Sequence, residues 1–148
     1  MGNRRKAREL AMQALFFMDM SKDVSVSQIE LFRQCYPPPK NIEAFFNELT
    51  LGLIERWPYI NEIIEKFSSN WKLNRMSCVD RNIIRVAAYE LLFCEDIPPK
   101  VTINEAVDIA KKFGAEESGA FINGILDSIR ESIARGEISI EDRLFSEE

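Results

Sequence analysis

DRNIIRVAAYELLF, residues 80–93, decides the fold. Its apolar residues, Ile83, Ile84, Val86, Ala87, Tyr89, Leu91 and Leu92, leave almost no polar face on a helix of this length. A helix that is apolar nearly all round must be surrounded by others, so this stretch predicts the central element of a helical domain. The preceding Ser77, Cys78, Val79, Asp80 has the outline of a capping box, which satisfies orphan N–H groups where a helix begins.

Outward from this element the same three-and-four spacing returns. Asp96, Ile97, Pro98, Pro99 ends the central helix. Thr102 with Glu105 reads as a second capping box, opening a helix that closes at Gly114, and a last helix carries Phe121, Ile122, Ile125, Leu126, Ile129 and Ile133 as far as Gly136. On the N-terminal side, Ala7, Leu10, Ala11, Ala14, Leu15 and Met18 mark a helix over about 4–20. A shorter helix starts near Ser25 and must stop before Pro37, Pro38 and Pro39. Asn41 is the expected N-cap of the next helix, and Pro58 breaks the pattern before another, with Trp71 in the loop that follows. No segment alternates apolar and polar residues as a half-buried strand would. The expectation is an all-α fold of about six or seven helices: residues 1–136 form a single helical domain, and the acidic residues 137–148 a mobile or loosely docked tail.

With 148 residues and 46% apolar content, the chain can bury a core without disulfides or metals. Its three cysteines, Cys35, Cys78 and Cys94, fit neither a disulfide framework nor a paired-cysteine zinc site, and read as reduced, mostly buried thiols. No signal peptide or membrane-spanning stretch is visible, so a cytoplasmic protein is expected.

Enzyme chemistry is hard to assemble from these residues. Histidine is absent, which removes the usual general base of nucleophilic catalysis. Gly119 and Gly124 have the spacing of a phosphate loop, but Ile125 and Leu126 follow where lysine and a hydroxyl are required. Glu62 and Glu65 lie three apart on one helix, an arrangement more typical of a solvated face than of a metal site. No catalytic residue, metal or cofactor is assigned.

The charge is uneven. Of 19 basic and 24 acidic residues, Arg4, Arg5, Lys6 and Arg8 fall in the first eight positions, leaving 15 basic against 24 acidic in the rest. Cations in the first turn oppose the helix dipole by roughly 0.3–1 kcal/mol each, so folding alone would not choose them. Three guanidinium groups on one helical sector would suit phosphate oxygens, and Phe121, at the edge of the last apolar stripe, is a candidate for stacking an unpaired base. A solvated terminus and an ordinary core phenylalanine are the plainer alternatives.

RRKARELAMQAL at 4–15, DRNIIRVAAYELLF at 80–93, DIPPKVTINEAVDIAKKFG at 96–114 and FINGILD at 121–127 together resemble the NusB family of bacterial transcription antitermination factors. The resemblance implies two packed helical subdomains that bind boxA leader RNA together with NusE, a small-subunit ribosomal protein, and join other Nus factors on RNA polymerase to support transcription of ribosomal RNA operons. By motif position it implies RNA contacts at Arg4, Arg5, Lys6, Arg8, Glu117 and Phe121, and a face toward the protein partner at Phe16 and Asp80. Gly119 and Ala120 stand where the family often carries a histidine or lysine. Two rivals remain: a non-catalytic protein adaptor, and a stand-alone relative of the N-terminal domain of ribosomal RNA cytosine methyltransferases. For the free protein, a homodimer that covers the arginine surface is open beside a monomer.

Overall fold

Apolar stripes at helical spacing become seven α-helices in the computed structural model, which describes residues 2–69 and 71–138. They are α1 (Asn3–Ser21), α2 (Val26–Cys35), α3 (Lys40–Glu55), α4 (Trp57–Phe67), α5 (Cys78–Phe93), α6 (Pro99–Phe113) and α7 (Ser118–Ala134), with one 3₁₀ turn at Leu73–Arg75 between α4 and α5. No strand occurs among the described residues.

The stretch at 80–93 is the central helix. Every residue of α5 from Asn82 to Leu92 is buried, and the helix is packed by α1, α3, α4, α6 and α7. Around it, α1, α2 and α3 pack on one another to one side, while α6 and α7 pair on the other and α4 bridges α5 and α7. The buried side chains form one continuous cluster, in which Leu15, Phe46, Leu53, Ile64, Ile84, Leu92 and Ile122 are fully enclosed. Each such side chain stabilises the fold by roughly 1.5–3 kcal/mol before the entropy cost of ordering is subtracted.

Close approach between helices depends on two glycines. At Gly52 on α3, an added Cβ would lie 2.7 Å from a ring carbon of Tyr89 on α5, so the Tyr89 ring rests directly on the α3 backbone. At Gly114 a Cβ would lie 2.7 Å from Ser118 Oγ, which accepts a hydrogen bond from Ala115 N at 2.9 Å and closes the α6–α7 turn.

Four helix starts test the capping expectations. Ser25 and Ser77 cap α2 and α5, their hydroxyls accepting from Gln28 N at 3.3 Å and Asp80 N at 3.1 Å. Asn41 is not a cap: α3 begins at Lys40 after Pro39, and the Asn41 amide instead donates to Asn3 Oδ1 at 2.9 Å. The Thr102–Glu105 box is likewise not a box. Proline fixes φ at a helical value and needs no N–H partner, so Pro99 starts α6 one turn earlier, which places Thr102 inside the helix and buried.

Cys94 is buried and Cys78 partly so, but Cys35 is exposed at the end of α2, against the expectation of mostly buried thiols. At the C-terminus, Glu137 N donates to Ser132 O at 3.0 Å and Ile138 is buried, so the first two residues of the expected tail are docked on the body. Residues 139–148 lie outside the described residues.

Candidate nucleic-acid interface

Helix α1 begins with no acidic residue in its first turn and no side-chain cap at Gly2, so nothing local offsets its cations. Compensation comes from far along the chain. Arg8 turns inward and forms a bidentate pair with Glu90 on α5, Nε to Oε2 and Nη2 to Oε1 both at 2.8 Å, and donates a further bond to Glu105 Oε1 at 3.2 Å. Arg5 reaches α6, bonding Glu105 through Nε at 2.8 Å and Nη2 at 2.5 Å, and Asp108 at 2.9 Å. Arg4 lies over the Phe45 ring at 5.0 Å, with Asp96 at 3.4 Å. Thr102 Oγ1 completes the group by donating to Glu90 Oε1 at 3.2 Å.

This geometry corrects the expectation that three guanidinium groups project together from an exposed sector. Arg8 is 4% exposed and faces the core, Arg5 is partly covered, and only Arg4 and Lys6 of the four are open to solvent. Glu9, next along α1, pairs with Lys112 on α6 at 3.0 Å.

The electrostatics follow. The hydrogen bond that Arg5 donates to Glu105 raises the Arg5 pKa against the opposing effect of burial, with the charges of Glu105 and Asp108 adding to it. The same bond holds Glu105 below the usual carboxylate range. Burial pushes Glu90 upward, and the two Arg8 bonds pull it back. In chemical terms the cluster is a fixed network of charge-assisted hydrogen bonds joining α1, α5 and α6.

The other expected residues lie in separate places. Phe121 is half-buried in the first turn of α7, one turn after the exposed Glu117, and its ring meets Trp71 edge to face at 5.9 Å and 73°. Phe16, 36% exposed on α1, lines a groove of about 630 Å3 with Phe17, Met20, Phe32 and Tyr36. Asp80 sits in the first turn of α5, where the helix dipole favours an anion, and its Oδ1 is buried without a hydrogen-bond partner among the described residues.

A second ionic cluster escaped the sequence reading. Asp19, near the end of α1, accepts both Arg81 Nε at 2.6 Å and Nη2 at 2.9 Å, together with Asn82 at 3.0 Å and Arg85 at 2.9 Å. Arg85 also stacks on Trp57 at 4.2 Å. Burial works to raise the Asp19 pKa, but the bonds from Arg81 and Asn82 and the charges of Arg85 and Arg81 outweigh it and hold it at about 2. The signal was present: Arg81 and Arg85 interrupt an apolar helix one turn apart, and a buried cation needs a carboxylate. Among the described residues, no group of histidine, cysteine and carboxylate side chains could hold a metal ion, and no helix is long and apolar enough to cross a membrane.

The chain is similar in sequence and in fold to known proteins. The transcription antitermination protein NusB of Desulfatibacillum aliphaticivorans is 54% identical over 137 residues, covering 93% of this chain and 96% of the relative. The structure of T. maritima NusB superposes with a TM-score of 0.77 at 40% identity, over 86% of this chain and 90% of that one. A chain in the crystal structure of the antitermination factors NusB and NusE in complex with dsRNA matches at 27% identity with a TM-score of 0.77, over 88% of this chain and 97% of that one. Since the NusB family model matches residues 5–131, the span that runs from the arginine-rich start of α1 almost to the end of α7, the chain belongs to the NusB family.

Proposed function

We propose that this protein is an RNA-binding transcription antitermination factor that, with NusE, binds boxA leader RNA and supports processive transcription of ribosomal RNA operons through other Nus factors on RNA polymerase. The observation that carries the reading is the likeness in fold, over nearly the whole chain, to the protein solved with NusE and double-stranded RNA. The role is one of binding and not catalysis, it is carried by a single helical domain at residues 1–136, and it is exercised in the cytoplasm.

Within that role the geometry divides the labour of the basic start. Arg4 and Lys6, which face solvent, are the proposed direct phosphate contacts. Arg5 reaches RNA only by exchanging part of its bond set with Glu105 and Asp108, and Arg8 acts by fixing α1 against α5. Phe121 and Glu117 form the proposed base-contacting edge, and Phe16 and Asp80 the face toward NusE. The apolar groove beside Phe16, with Met20 and Tyr36 exposed on its rim, favours protein docking there.

A filter-binding titration with boxA RNA and a scrambled RNA, each with and without NusE, tests this. Preference for boxA that sharpens with NusE is the expected result. Equal, weak binding to both RNAs would favour the protein-adaptor reading instead.

A further inference from the structure

Trp71 has no part in the core network. Its side chain is 51% exposed in the connection between α4 and α5, and one edge of the indole meets the Phe121 ring. Exposing half of so large an apolar ring forgoes part of the stabilisation its burial would provide. The segment nevertheless holds the residue firmly. Trp71 N donates to Ser68 O at 3.1 Å, and Ser68 Oγ donates to Trp71 O at 2.6 Å, so both backbone groups of Trp71 are used in closing one turn. Two residues on, Leu73 is buried and its N–H donates to Glu65 Oε2 at 2.9 Å. The ring is therefore presented from an anchored backbone, so little ordering entropy is lost when a ligand stacks on it.

The charge beside it has the opposite character to that of the arginine-rich start. There the guanidinium groups are met by Glu90, Asp96, Glu105 and Asp108. Lys72 and Arg75, which flank the anchored Leu73, are exposed, and among the described residues neither side chain joins an ion pair. Lys72 runs along a cleft that Glu62 and Glu65 also line, which offsets part of its charge and leaves Arg75 the freer cation. An exposed indole beside a second ring, with an uncompensated guanidinium four residues on, is the combination that holds single-stranded nucleic acid: bases stack on the rings and cations meet the backbone.

Building on the RNA-binding role proposed above, we infer that Trp71, seated edge to face on Phe121, is a base-stacking residue for single-stranded RNA, and that Arg75 contacts the adjoining phosphate. The arginine-rich start is then one edge of the RNA surface, and the Trp71–Phe121 pair supplies the part that senses unpaired bases.

The test uses the full chain and single-stranded boxA RNA as probe. Trp71→Ala is expected to weaken binding by about 5- to 150-fold, the range found when a stacked base loses its aromatic partner. Trp71→Leu keeps an apolar cover on Phe121 without a π face and is expected to weaken binding equally, while Trp71→Phe retains most of the affinity. RNA is also expected to quench tryptophan emission in the wild type but not in Trp71→Phe, where only Trp57, stacked under Arg85, remains. Tight binding by the wild type with full affinity in Trp71→Ala and Trp71→Leu would overturn the inference and leave the RNA-binding role intact. Absence of binding by the wild type would overturn both.

Discussion

Arg8 on α1 and Glu90 on α5 face each other through two parallel hydrogen bonds of 2.8 Å, with side-chain exposures of only 5% and 1%. Taking both charges out of water is costly, and their attraction offsets that cost only while both are present. Arg8→Met leaves Glu90 buried without its cation and is expected to destabilise the protein by about 3–5 kcal/mol in urea denaturation. Arg8→Met combined with Glu90→Leu should recover most of that loss. If the double variant were as unstable as the sum of the two single ones, the pair would not be acting as a unit.

Asp19 gives the fold a defined acid response. Its pKa lies at about 2 in the folded protein against an ordinary 3.8, so the unfolded chain binds the proton first as pH falls. The stabilisation is complete above pH 3.8, declines as pH drops toward about 2, and amounts to ~2 kcal/mol. Denaturation at stepped pH should show this slope in the wild type and a flatter one in Asp19→Asn. Equal slopes would mean that Arg81 and Arg85 do not hold the carboxylate ionised.

Gly52→Ala is expected to destabilise by about 1–3 kcal/mol, because the new methyl group would push the Tyr89 ring off the α3 backbone. Tyr89→Phe in the same chain should restore little, since ring carbons as well as the hydroxyl stand in the way. Thermal unfolding of the wild type and these two variants decides the point, and full rescue by Tyr89→Phe would show that the hydroxyl alone was the obstacle.

RNA affinity should fall as salt rises, in proportion to the phosphates neutralised. Lys6→Ala and Arg4→Ala are each expected to reduce the slope of log affinity against log salt by about 0.7, the value for one contact to a single strand. An unchanged slope in both variants would remove the solvent-facing end of α1 from the RNA surface.

The helices were legible because their evidence is local. Apolar spacing located α1, α3, α5 and α7, and Ser25 and Ser77 marked two of the caps. Thr102 misled because its pattern matches a capping box, whereas the start of α6 was already settled by Pro98 and Pro99. The arginine-rich start misled for a different reason. Its partners lie 82 to 103 positions away, and charge counting over neighbouring residues cannot find them. The repulsion between those cations and the helix dipole is real, but Glu90, Glu105 and Asp108 answer it inside the fold, so no bound phosphate is required to explain why Arg5 and Arg8 are there. Trp71 was placed correctly in a loop, yet nothing in the linear pattern put it beside Phe121, 50 positions on.

Reversal of Arg5 and Arg8 to glutamate, followed by urea denaturation in the absence of RNA, tests most directly whether the fold itself holds these arginines. Sequence alone leads one to expect unchanged or slightly raised stability, because two cations leave the positive end of a helix. With Glu90, Glu105 and Asp108 waiting opposite, the structure requires a loss of at least about 3 kcal/mol. Wild-type stability in the doubly reversed protein would contradict the account.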